Sequence, residues 1–337
     1  MLSISSRIRW DKDRLNKIIQ ALSQSGTFVA DDIGMRFQDN RQEQSFNAYI
    51  CQQIARLKRL GKIRTSETYT AAFRSFNGFM NDKEVLFNQI SADLIAEYEA
   101  YLKGRGNSPN TISFYMRVLK AVYNRAVEDG LTGQRHPFKS VYTGMEKTLK
   151  RAISLNDLKR IKGLDLSLKP NLDFARDMFL FCFYTRGMSF IDMAYLRKKD
   201  LQNGILSYRR RKTGQQLFIK WERCMQEIVD KYPINETEYL LPIITKRNKD
   251  YRKQYTNELH RVNHLLKKIG KQLDLSIPLT MYVGRHSWAS IAKSRNVPIS
   301  VISEGMGHDS ENTTQIYLAS LDTSVVDRAN KKILDLL

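Results

Sequence analysis

Cysteine is scarce in this chain. Among 337 residues only Cys51, Cys182 and Cys224 occur, widely spaced and without a CxxC pair. That excludes a disulfide framework and any zinc site built on cysteine. Long apolar runs are missing too. The longest strongly apolar stretch, Met178 to Tyr184, falls far short of the roughly 20 residues that span a bilayer. The opening MLSISSRIRWDKDRLNK has no apolar core of the signal-peptide kind, so a cytoplasmic protein with buried thiols is expected, and no membrane. No GxxxxGK loop followed by Ser or Thr is present to cradle ATP. Acid is short relative to base: 35 Asp+Glu against 55 Lys+Arg leaves a net charge of +20. Such an excess points to a polyanion, nucleic acid before a membrane surface.

What is present reads as a globular, mainly helical chain of two or three domains, with 42% hydrophobic residues to build cores. Leu15, Ile18, Ile19 and Leu22 share helical spacing, as do Ile50, Ile54, Leu57 and Leu60, so residues 1–60 are read as a helical N-terminal extension. Residues 61–130 read as a unit of about four helices, the last opening at Asn110-Thr111 and closed by Gly130. A linker of little periodicity is expected over 131–152 and a second, mostly helical domain over 153–337. Its one clear strand pair is Gly204-Ile-Leu-Ser-Tyr208 with Gln216-Leu-Phe-Ile219, flanking Arg209-Arg-Arg-Lys-Thr-Gly214 as a hairpin turn. The basic stretch Lys246–Lys271 contrasts with an acidic tail after Asn296, which suggests a polyanion surface in the body and a protein-facing tail.

Four segments carry polar residues that a plain helical core does not need. In Thr185-Arg186-Gly187-Met-Ser189-Phe-Ile-Asp192, Gly187 reads as a helix C′ residue and Ser189 with Asp192 as a capping box. Arg186 either binds the last carbonyls of its own helix or faces a ligand. Lys212 sits at the hairpin turn, as ordinary turn polarity or as a proton donor, and the arginines Arg209, Arg210 and Arg211 before it suit phosphate contact. Tyr282 and Arg285 stand three apart, on one helix face, with Trp288 and Ala289 toward the core. Arg285 is either a solvated charge at a helix start or a phosphate ligand. Finally Gly305-Met-Gly-His308 forms a turn, Asn312 with Gln315 a helix start, and Tyr317 follows His308 by nine residues.

Together these fit metal-free cleavage of a phosphodiester. A nucleophile attacks in line, fixed cations hold the extra negative charge, and a lysine or histidine protonates the departing oxygen. Arginine suits the second task because its always-charged fork matches phosphate oxygens. No carboxylate cluster accompanies the segments, so no metal and no cofactor is expected.

On Lys212, Arg285-His-Ser-Trp-Ala289, Gly307-His308 and Tyr317, in this order and spacing, the chain resembles the tyrosine recombinases (phage integrases), a bacterial group, over roughly residues 65–325. Ser108-Pro-Asn-Thr111, Tyr123-Asn-Arg-Ala126 and Pro137-Phe138 are similar to that family's core-binding domain. Two departures stand out. Tyr282 occupies the place of a family histidine, and Ser189 that of the family's first arginine; Arg186, three residues earlier, is expected to replace it.

The resemblance implies a SAM-like helical core-binding domain followed by a mixed α/β, mostly helical catalytic domain with a small β-hairpin. The two would form a C-shaped clamp on duplex DNA. It implies Tyr317 as nucleophile, leaving a 3′-phosphotyrosine. Arg186, Arg285 and His308 would stabilise the transition state with help from Tyr282, and Lys212 would serve as proton donor. Asn110, Thr111, Tyr115, Arg117 and Lys120 of the core-binding domain would join Arg209–Arg211 in holding DNA. Expected partners are double-stranded DNA with paired core sites, a homo-tetramer on that DNA and an accessory DNA-bending protein, at the nucleoid. A type IB topoisomerase-like relaxing activity and an inactive DNA-binding regulator are the alternatives. Residues 323–337 carry an apolar stripe expected to dock on a neighbouring protomer, and residues 3–8 a short strand in place of an arm-binding domain.

Overall fold

The structure, a computed structural model, describes residues 44–146, 152–247 and 249–318 throughout, and 12, 15–16, 18–24, 26–35, 331 and 334–335 besides. The tail stripe at Val326, Ile333 and Leu337 and the strand expected at residues 3–8 lie outside the described residues. The chain divides into two compact units, Met1–Glu146 and Lys147–Leu337.

The first unit holds α1 (Phe46–Arg59), α2 (Ile63–Phe79), α3 (Ala92–Gly104) and α4 (Pro109–Glu128), with a 3₁₀ turn at Phe87–Gln89. Three of its helices begin at a serine whose hydroxyl takes an otherwise orphaned backbone N–H: Ser45 from Ala48, Ser91 from Leu94 and Ser108 from Thr111. So α4 starts at Pro109, ahead of the expected Asn110. Between 61 and 130 there are three α-helices rather than about four, and α1 packs on two of them, α2 and α4. Aromatic rings bind it to the rest. Phe46 is fully buried and meets Phe76 edge-on at 5.8 Å and Phe87 at 5.5 Å, while Phe76 meets Tyr98 at 5.1 Å. Buried phenols find partners: Tyr98 donates to Ser75, and Tyr123 to the Gly133 carbonyl. Phe46→Ala removes one ring from this cluster and leaves a cavity, so denaturant unfolding of the first unit is expected to lose about 3–5 kcal/mol. A loss under about 1 kcal/mol would mean that α1 is not part of this core.

The second unit holds α5 (Leu155–Lys162), α6 (Pro170–Tyr184), α7 (Phe190–Ala194), β1 (Leu201–Gln202), β2 (Ile205–Arg209), β3 (Gln216–Lys220), α8 (Arg223–Asp230), α9 (Tyr251–Gln272), α10 (Met281–Ser294), α11 (Ile299–Met306) and α12 (Glu311–Leu318). The apolar run noted in the sequence is the end of α6, which packs on α9 and α10 with Phe174, Ala175, Met178, Phe179 and Phe181 buried. Its polar flank is tied down: Asp177 accepts from Arg176 Nε (3.0 Å), Lys231 Nζ (2.7 Å) and Tyr232 (2.8 Å). The hairpin is an antiparallel three-stranded sheet in the order β1-β2-β3, one short strand more than expected. Its register pairs Leu206 with Ile219 and Tyr208 with Leu217, all four facing the core. Arg209 closes β2 rather than opening the turn. No helix among the described residues is long and apolar enough to cross a membrane.

Candidate active site

Two helix ends meet at Arg285. At the end of α6, Gly187 N donates to Cys182 O (2.8 Å) and Arg186 N to Phe183 O (3.2 Å), the paired bonds of a Schellman motif. The C′ position, expected at Gly187, falls on Arg186 at φ 60°, with Gly187 following at φ 75°. Holding a side-chain-bearing residue there costs about 1 kcal/mol or more. The end of α11 is built the same way: His308 N donates to Ser303 O and Gly307 N to Glu304 O, both at 3.0 Å, with Gly307 at φ 64°. Arg285 on α10 is only 6% exposed and bridges the two ends, donating to Gly187 O (2.5 Å) and Met306 O (2.8 Å). Carbonyls at a helix C-terminus carry partial negative charge and suit a cation. Glycine is needed at 187 for space as well, since a Cβ there would stand 3.0 Å from Arg285 Cα. Arg285 is therefore not a solvated charge.

His308 completes the bridge. Its Nε2 lies 3.1 Å from Arg285 NH2 and its Nδ1 2.7 Å from Thr314 Oγ1. A guanidinium only donates, so Nε2 accepts and Nδ1 carries the hydrogen; the ring is neutral. Burial above all, then the charges of Arg285, Arg210 and Lys212, push its pKa from 6.5 down to about 4. A base whose folded pKa is depressed leaves stability complete above its unfolded pKa. As pH falls from about 6.5 toward 4 the unfolded chain gains a proton that the folded chain refuses, and stability is lost. Compared with His308→Gln, the wild-type chain is expected to lose up to about 3 kcal/mol in urea unfolding over that interval and to level off below it. A difference between the two that does not change with pH would contradict a neutral His308.

The hairpin enters from the other side. Ser189 stands at the N-cap of α7, but its hydroxyl donates to Asp192 Oδ2 (2.6 Å) instead of accepting from the helix, so the expected capping box does not form. The other oxygen of Asp192 accepts from the Arg211 amide (2.9 Å) and so pins the turn. The three arginines part company there. Arg209 is exposed and reaches Gly214 O (2.7 Å); Arg211 is exposed and stacks on Tyr195 at 4.0 Å. Arg210 is 7% exposed and donates from NH1 to Gly307 O, the carbonyl next to the one held by Arg285. It therefore does not stand at the surface with its two neighbours, as the sequence suggested, but belongs to the buried cluster. Lys212 is exposed at the tip. Arg186 does not bind its own helix: NH1 reaches across to Phe218 O on β3 at 3.3 Å.

Tyr282 is 61% exposed and stands edge-on to His286 at 4.3 Å. Tyr317 is on α12, whose Thr313 amide is capped by Ser310 (3.3 Å), so the helix opens one residue ahead of Asn312; the Tyr317 side chain lies outside the described residues. In the first unit, Asn110 exchanges bonds with the backbone of Glu146 (2.9 and 3.1 Å), and Thr111 Oγ1 lies 2.9 Å from Ser108 Oγ. Both therefore hold the start of α4. Tyr115 and Lys120 are half-buried and Arg117 exposed on the same helix.

Two buried guanidiniums thus sit on successive carbonyls, with a lysine near enough to act on the same histidine. Among the described residues no carboxylate oxygen lies within 4.0 Å of either. Buried unpaired charge is costly, and a bound anion relieves it. The same residues include no group of three or more His, Cys, Asp or Glu able to hold a metal. Sequence spacing read Arg210 only as a phosphate contact and missed Asp192 as the pin of the hairpin and Thr314 as the partner of His308 Nδ1.

Comparison with known proteins adds two family matches, the phage integrase SAM-like domain over residues 45–143 and the phage integrase family over residues 168–324. A curated relative, tyrosine recombinase XerA of Thermococcus kodakarensis, is 25% identical over 233 residues, covering 68% of this chain and 77% of its own. In fold the chain is similar to a lambda integrase dimer bound to a COC′ core site (TM-score 0.65, 15% identity, 92% of this chain and 86% of that one). It is also similar to a lambda integrase tetramer bound to a Holliday junction (TM-score 0.63, 14% identity, 82% and 78%).

Proposed function

The chain belongs to the phage integrase family of tyrosine recombinases, and from that premise we propose that it cuts and rejoins DNA site-specifically for the integration, excision or inversion of a mobile segment. The observation that carries this reading is the buried pair of guanidiniums, without a direct ion pair, on Met306 O and Gly307 O beside a neutral histidine. It is a site prepared for one phosphodiester.

In this mechanism Tyr317 attacks the scissile phosphorus. The Tyr317 O–P bond forms, the bond from phosphorus to the 5′ oxygen breaks, and a 3′-phosphotyrosine remains. Arg285 holds a non-bridging oxygen with its fork, Tyr282 hydrogen-bonds a second, and Lys212 at the exposed tip of a charged turn gives its proton to the departing oxygen. The phenol proton passes to His308 Nε2. Beside burial, the charges of Arg285, Arg210 and Lys212 depress its pKa; a bound phosphate offsets those charges, so that part of its basicity returns when the substrate is seated. Storing bond energy in the phosphotyrosine lets the ends rejoin without ATP.

On the DNA side, exposed Arg209, Arg211 and Arg117 would meet backbone phosphates. The relatives' dimer and Holliday-junction tetramer suggest a homo-tetramer on paired core sites here, with an accessory DNA-bending protein as a further partner. The test is covalent capture: random-sequence duplexes are incubated with the chain in EDTA without ATP, and denaturation-resistant adducts are sequenced and mapped. Adducts at one recurring phosphate support the reading. Sequence-specific binding with no adduct would assign the chain to regulation instead, and adducts spread over unrelated sequences to relaxation.

A further inference from the structure

Ser189 occupies the place of the family's first arginine, so by sequence position the site is one guanidinium short. Arg186 is the nearest in sequence, but it is half-exposed and its guanidinium is engaged at Phe218 O on β3. Arg210 arrives from a different element. Leu206, Tyr208 and Arg210 continue the period-two inward face of β2, which carries Arg210 under the sheet to the end of α11. There its NH1 holds Gly307 O, and its Cδ would lie 3.1 Å from a Cβ placed on Gly307. Burial first, and then the charge of Arg285, weaken its hold on its proton. Its Nε is buried with no acceptor. A residue kept only to cap α11 would not need to be a cation here, since Thr213 Oγ1 also approaches Gly307 O at 3.5 Å. A second positive charge buried beside Arg285 with no direct ion pair, only the more distant charges of Asp192 and Asp309, destabilises the free protein, and the cost is recovered when an anion binds both.

We propose that Arg210 supplies the guanidinium missing at Ser189, neutralising a non-bridging oxygen of the scissile phosphate together with Arg285. This deepens the reading above and rests on it. No bond to Arg210 forms or breaks. Its share is the negative charge that builds on the non-bridging oxygens while Tyr317 bonds to phosphorus and the 5′ oxygen departs.

The test uses the full chain and a duplex recovered by covalent capture, with the mapped phosphate either ordinary or a methylphosphonate, in which a neutral methyl replaces one charged oxygen. Arg210→Ala is expected to slow adduct formation on ordinary DNA by about 100-fold or more. On the methylphosphonate, where the charge it serves is gone, it should come within about tenfold of the wild type on the same duplex. Arg210→Gln, which keeps most of the volume, should behave alike and guards against a misfolded alanine variant. Arg186→Ala should show no such rescue. The proposal is overturned if Arg210→Ala stays within a few-fold of wild type. It is equally overturned if both Arg210 variants keep one-site DNA binding yet are not rescued, or if rescue belongs to Arg186→Ala instead. Failure of the wild-type chain to form any adduct would overturn the underlying reading, and is distinguishable because it precedes every variant.

Discussion

Tyr317→Phe is expected to lose covalent attachment to DNA completely while binding the same duplex within about twofold of the wild-type affinity. The substitution removes one hydroxyl and nothing else, so α12 keeps its helix former and its apolar ring. A nucleophile cannot be replaced by neighbouring charge: without an oxygen to bond to phosphorus there is no intermediate to accumulate. Its position follows from the chain around it. Gly307 turns α11 back through the left-handed region, His308 takes its place against Arg285, and Ser310 caps α12 two turns before Tyr317. In the proposed mechanism nine residues tie Tyr317 to the histidine that would accept its proton. Denaturing electrophoresis of trapped complexes measures the loss, and peptide mapping of the wild-type adduct identifies the residue. An adduct formed by Tyr317→Phe, or one mapped to Tyr282, would refute the assignment.

Much of the second unit was legible because its signals are local. Two short strand segments around a turn ending in Gly214 marked the hairpin, and the spacing of Tyr282 and Arg285 with Trp288 and Ala289 toward the core fits the helix found there. The helix ends were read less well. Gly187 is a natural C′ residue by type, yet the motif places Arg186 there, because Arg285 Cα stands too close to position 187 for anything but glycine. That contact spans 98 residues and leaves no mark on local sequence. Ser189 and Asp192 have the spacing of a capping box, but the carboxylate is claimed by the Arg211 amide from the hairpin. Arg210 is the instructive case. Read as one of three basic neighbours, it looks like a surface contact. Read as the next inward residue after Leu206 and Tyr208, it belongs to the site, and that period-two signal was in the sequence all along.

The same geometry sets the second large effect. Arg285→Ala is expected to cut single-turnover cleavage on saturating DNA by about 100- to 1000-fold, the scale of losing one charged transition-state donor. Folding stability should respond far less, because two terms oppose each other. Gly187 O and Met306 O lose their donor, which costs about 1–3 kcal/mol, while Arg210 is relieved of a buried like charge. The net change in urea unfolding is therefore expected below about 2 kcal/mol. A third readout separates charge from packing. Arg285 is the foremost of the charges that hold the His308 pKa down, second only to burial. Its removal should move the ring titration upward from about 4 toward 6.5, as read by proton chemical shift. Arg285→Lys keeps the charge but not the fork, since one ammonium cannot span the ends of α6 and α11 as two guanidinium nitrogens do. It should leave His308 low and still lose most of the rate. Cleavage by Arg285→Ala within tenfold of wild type, or a His308 titration unmoved by it, would show that these helix ends are bridged for stability alone.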